Sequence, residues 1–90
     1  MNRAIPQTGD IFRHFKNRYY RIISIAEHTE TKEKLVIYKR YEYTLSTIYA
    51  RPLDMFMSEI DKNKYPHATD IYRFTLVPKT IPLNPMFLEQ

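Results

Sequence analysis

No cysteine and no tryptophan occur in this chain, and glycine occurs once. The missing cysteines exclude a disulfide framework, a cysteine zinc site and a thiol nucleophile. One glycine, Gly9, cannot make a glycine-rich phosphate loop, so turns must rely on Asn, Asp, Thr and Pro. Long apolar runs are missing too. Nothing reaches the length of a membrane span, and Met1 to Gly9 holds no apolar core of signal-peptide length. A soluble cytoplasmic protein with no membrane partner is the expectation.

What is present is aromatic and mildly basic. Ninety residues make one domain, and a chain of this size buries only about 60–65% of the surface its unfolded form exposes. Eight Tyr and five Phe therefore supply much of the core, and each buried Tyr hydroxyl needs a partner. The net charge of +4 falls in the first half. That bias favours an anionic partner but lacks the dense Lys/Arg clustering that marks a dedicated nucleic-acid binder.

The centre of the chain is Tyr19 to Tyr41, two Ile/Val/Tyr-rich strands around the polar turn at residues 27–34. Residues 1–8 read as a loose lead-in, 9–77 as a small β-barrel domain, and 78–90 as a proline-rich tail. A first strand is expected over 11–16, with Asn17-Arg18 turning the chain back. In the second strand, 19–26, Tyr20 and Ile22 share one phase while Ile23 and Ile25 share the other. A strict strand cannot bury both sets on one face, which predicts a bulge near Ile23-Ser24. Further strands are expected over 35–41, 47–51 and 70–77. Between the last two, Pro52 suits the first position of a short helix, and Leu53, Phe56, Met57 and Ile60 form one apolar stripe with Phe56 as the plug of the barrel. The fold class implied is all-β, a small SH3-like barrel or roll with one short helix.

Several blocks are similar to a known family: Gly9-Asp10-Ile11-Phe12-Arg13-His14-Phe15-Lys16, Tyr20, Ala26-Glu27-His28-Thr29-Glu30-Thr31, Glu33, Leu35-Val36, Tyr38, and Arg51-Pro52-Leu53-Asp54-Met55-Phe56. Together they resemble the domain of unknown function 1653 family, small and mostly bacterial proteins, over roughly 9–77. The resemblance implies an SH3-type barrel and brings no established activity. Two departures stand out: Asn17 replaces a usual Gly, and Tyr49-Ala50 stands where Trp commonly precedes the Arg-Pro pair.

The candidate ligand-binding residues are Arg13, His14, His28, Glu30, Tyr38 and Arg51. Were the first strand to lie beside the central hairpin, His14, the His28 turn and Arg51 would meet at one barrel end. Arg51 would clamp an anionic or polar ligand, and the imidazoles would donate or accept protons near neutrality. The plainer alternative is that His28 and Glu30 satisfy backbone groups of their turn while Arg51 pairs with a carboxylate. A nucleic-acid alternative uses Arg13, Lys16, Arg18, Arg21, Lys39 and Arg40, interleaved with aromatics. A small enzyme with a His acid–base residue is a third, weaker reading, because no nucleophile motif accompanies the histidines. No catalytic residue, metal or cofactor is assigned; His28-x-Glu30 lacks the cysteine pair of a zinc deaminase. The partner is an unidentified ligand or macromolecule, and the sequence does not set the oligomeric state.

Overall fold

The computed structural model describes residues 3–42 and 45–79. Five strands, β1 (Ile11–His14), β2 (Arg18–Glu27), β3 (Lys34–Arg40), β4 (Ile48–Pro52) and β5 (Phe74–Leu76), form one antiparallel sheet in the order β4-β3-β2-β1-β5. A single helical turn, α1 (Leu53–Phe56), links β4 to the segment leading into β5. The protein is all-β, as its sequence implies. The closed cylinder is not found. Among the described residues no backbone ladder joins β4 to β5, so the sheet curls into an open roll with two free edges.

The curl comes from β2. Its pairing with β3 slips between Ile22 and Ser24, so Ile22 opposes Tyr38 while Ile25 opposes Val36. Ile23 is the extra residue. Before the slip Tyr20 and Ile22 face inward; after it Ile25 does, and one long strand serves both halves of the roll. The bulge predicted at Ile23-Ser24 is thus found where two incompatible apolar phases meet.

The core is mostly aromatic. Phe56 and Phe74 stack 4.0 Å apart at 8°, and Phe12 and Tyr38 present their edges to Phe56 at 5.2 and 5.3 Å. Ile22, Val36 and Met57 complete it. The predicted helical stripe faces this core: Phe56, Met57 and Ile60 are buried, Leu53 is partly covered, and Met55 is exposed. Pro52 sits one position earlier than expected. Its ψ of 136° makes it the residue before the helix, still paired with Leu35 on β3.

One further expectation is corrected. The last strand is three residues long: before it, the Ile71 carbonyl accepts the Ile60 N–H and the Arg73 N–H donates to Ser58, while the Arg73 carbonyl still accepts the Phe15 N–H. Ahead of β1, the Arg3 guanidinium donates to the Met57 and Phe74 carbonyls at 2.9 and 2.6 Å and lies 3.9 Å over the Tyr72 ring. These are carbonyls that a short α1 and a sheet-edge β5 leave without ladder partners. The tail beyond Lys79 lies outside the described residues.

Among the described residues, two that are not glycine hold left-handed backbone, Asn17 and Lys32, each at φ 65°. Asn adopts it more readily than Lys, which bears a steric cost there. Replacing Lys32 with Gly is expected to raise stability by about 0.5–1 kcal/mol, a shift of a few degrees in Tm. A thermal melt showing no rise would mean that the Lys32 side chain makes up the backbone cost.

Candidate functional site

In an antiparallel sheet, directly opposed residues share a face. Phe12 opposes Tyr20, His14 opposes both Arg18 and Phe74, Tyr20 opposes Arg40, and Tyr38 opposes Tyr49. All belong to the concave side. Val36, also concave, opposes Arg51. Above the apolar floor these residues gather at the seam between the free edges of β4 and β5, where Arg51 from β4 lies 5.7 Å over the ring of Phe74 from β5. Side chains span the gap that backbone hydrogen bonds leave open.

The seam is an aromatic cage. Tyr20 meets Tyr38 at 5.3 Å, Tyr49 at 6.4 Å, Phe74 at 5.8 Å and His14 at 6.4 Å, all edge-on. His14 also sets its ring against Phe74 at 4.9 Å and stacks on Phe15 at 4.6 Å. The Arg51 Nε–H donates to the Tyr38 hydroxyl at 3.2 Å, which locks the orientation of the guanidinium. That single bond leaves the terminal NH2 groups of Arg51 uncommitted, and Arg51 forms no ion pair among the described residues. Tyr38 is buried, whereas Tyr49 remains 39% exposed and forms the outer lip.

His14 is the electrostatic gauge of the site. Its Nδ1 accepts the Lys16 backbone N–H at 3.1 Å, which places the proton of the neutral ring on Nε2. Burial, followed by the charges of Arg51, Lys16, Arg73 and Arg18, pulls its pKa down from 6.5 to about 4. Every charge acting on it is positive. Burial likewise raises the Tyr20 pKa, keeping its hydroxyl protonated. At neutral pH the seam therefore offers an imidazole N–H, two phenols and a guanidinium in a positive field.

The His14 shift has a consequence for stability. A histidine whose folded pKa lies below its unfolded value contributes stability that is fully present above about pH 6.5. That contribution drains away as pH falls towards about 4. Allowing for solvent screening, the loss is on the order of 1–2 kcal/mol. Urea titrations at pH 7 and pH 4.5 should show it in wild type, with a smaller pH dependence in His14→Gln. Equal pH dependence in both proteins would contradict the assignment.

The remaining sequence candidates lie elsewhere. Arg13 is on the convex face and pairs with Asp70 at 2.9 Å. His28 and Glu30 occupy the β2–β3 turn, at the opposite end of β2 from His14, so the expected meeting of His14, His28 and Arg51 does not occur. There the His28 Nδ1 accepts the backbone N–H groups of Glu30 and Thr31, both at 3.2 Å, a turn-forming duty. The six basic residues of the nucleic-acid alternative also divide. Arg13, Arg21 and Lys39 share the convex face, Arg18 and Arg40 belong to the concave face, and Lys16 sits in the β1–β2 turn. Arg40 lies 3.7 Å from Glu42, so its charge is matched.

Tyr20, Tyr49 and Phe74 were not among the sequence candidates. The signal for Tyr20 was its phase with Ile22; for Tyr49 and Phe74 it was missing, because it depends on strand register. Among the described residues no group of three or more His, Asp or Glu is placed to hold a metal, and no helix is long and apolar enough to cross a membrane.

The sequence blocks that hold this geometry lie, apart from Gly9, within the span matched by a family model, residues 10–76. The chain belongs to the family described as Protein of unknown function (DUF1653). The DUF1653 match runs from Asp10, just before β1, to Leu76 at the end of β5, so it takes in every strand and every residue of the seam. No match to the chain was found among curated proteins or among solved structures.

Proposed function

We propose that this protein is a small binding module whose ligand presents an anionic group to Arg51 in the seam between β4 and β5. The observation that carries the reading is the oriented Arg51 guanidinium, without an ion pair among the described residues, beside a histidine on which every acting charge is positive. A guanidinium oriented over an aromatic ring with its terminal NH2 groups uncommitted suits bidentate recognition of carboxylate or phosphate. His14 Nε2–H and the Tyr20 and Tyr38 hydroxyls would supply neutral donors around it.

Binding is favoured over catalysis by the state of His14. A base whose pKa is about 4 is weak near neutrality, and no nucleophile or metal site accompanies it among the described residues. Heteronuclear NMR titration with pyrophosphate tests the reading. Shifts are expected at His14, Tyr20, Tyr38, Tyr49 and the Arg51 side chain, and weak or absent ones at His28 and Glu30. Perturbation confined to the β2–β3 turn or to the convex Arg21–Lys39 face would overturn it.

A further inference from the structure

The seam does not end at His14. The Phe15 ring stacked on His14 meets Tyr65 edge-on at 5.0 Å, and Lys16 and Lys64 stand 5.1 and 5.5 Å from the Tyr65 centroid. A row of rings, Tyr49, Tyr20, His14, Phe15 and Tyr65, therefore runs from the sheet edge across the β1–β2 turn to the 61–69 loop. Cations line it along its length: Arg51 at the β4 edge, Arg18 opposite His14 in the middle, and Lys16 and Lys64 at the Tyr65 end. The nearby carboxylates are engaged. Asp70 pairs with Arg13, and Asp61 Oδ1 accepts the Asn63 backbone N–H at 2.9 Å.

We propose that this ring-and-cation track binds single-stranded nucleic acid, with phosphates at Arg51, at Arg18 and at the Lys16–Lys64 end, and bases against the partly exposed rings between them. The inference rests on the anion-binding reading above and names its ligand class. Repeated anionic groups separated by flat apolar faces match an alternation of guanidinium or ammonium with aromatic rings, and such stacking tolerates any base. A duplex is disfavoured, because its bases are already stacked and turned inward. The convex Arg13, Arg21 and Lys39 take no part, since Arg13 is paired with Asp70 and Arg21 lies over Tyr41 at 4.9 Å.

The test is fluorescence anisotropy of the full chain with labelled oligothymidylate and oligouridylate of about eight nucleotides, and a blunt duplex as control. Single strands should bind better than duplex. With four phosphate contacts, log K should fall against log salt with a slope of about −2 to −3. Tyr65→Ala and the double variant Lys16→Ala/Lys64→Ala should each weaken binding about tenfold with an unchanged circular dichroism spectrum. Arg21→Ala should bind as wild type. Full-strength binding by Tyr65→Ala, equal loss in Arg21→Ala, or preference for duplex would overturn the proposal. Pyrophosphate shifts at His14 and Arg51 without oligonucleotide binding would end it while leaving the small-anion reading in place. Absence of both would end both.

Discussion

Phe56→Ala is expected to cost about 3–5 kcal/mol of stability, enough to leave a large unfolded fraction at 37 °C. Phe56 is fully buried, stacks on Phe74 and receives the edges of Phe12 and Tyr38, so truncation removes the one ring that touches all three. The helical turn that carries it is four residues long and has no side-chain cap, so little besides Leu53 and Met57 would hold α1 once Phe56 is gone. A small roll with two open edges has little surplus burial to collapse into the cavity. Met55→Ala, one residue away and half exposed, should stay within about 0.5 kcal/mol of wild type. Urea denaturation of the pair measures the contrast. Similar midpoints for the two variants would mean that the aromatic stack is not what holds the roll together.

The second large effect concerns recognition. Arg51→Gln should lower affinity for pyrophosphate by about 10- to 100-fold, the worth of charge-assisted hydrogen bonds to one guanidinium. Its stability should change little, since the lost protein contacts are one hydrogen bond to the Tyr38 hydroxyl and one cation–π contact with Phe74. Arg51→Lys should recover part of the charge attraction but not the fork geometry, and so fall between the two. Isothermal titration calorimetry read beside a thermal melt separates these outcomes. Unchanged affinity in a folded Arg51→Gln would place the anion elsewhere.

Much of the fold was legible because it is written in side-chain phase. Adjacent Ile22 and Ile23 predicted the bulge, and the Leu53, Phe56, Met57, Ile60 spacing predicted which helical face is buried. Both depend only on the periods of strand and helix. Closure of the sheet was not legible. Whether β4 and β5 pair is a matter of distance across the roll, and a three-residue β5 leaves the edges apart. The anchoring role of Arg3 was hidden for a similar reason: its carbonyl partners, Met57 and Phe74, come from distant parts of the chain.

The site was half legible. His14, Tyr38 and Arg51 could be chosen as polar residues that a core does not require, and the structure places all three at the seam. His28 and Glu30 were chosen by the same rule, yet a hairpin turn also needs polar groups for its backbone. Sequence alone does not separate those duties; the register of a ten-residue β2 does, by sending the two histidines to opposite ends. That Arg51 forms no ion pair among the described residues could not be seen either, since the expected carboxylate partner had to be shown missing across every neighbouring strand.

The imidazole proton resonances of the full chain, followed by NMR from pH 3 to 8 with and without pyrophosphate, test the anion seam most directly. His14 should titrate near pH 4 in the free protein, move upward when pyrophosphate neutralises the surrounding cations, and lose that movement in Arg51→Gln. A His14 that titrates near 6.5, or that ignores the anion in the wild-type protein, would contradict a positive, ligand-seeking site between β4 and β5.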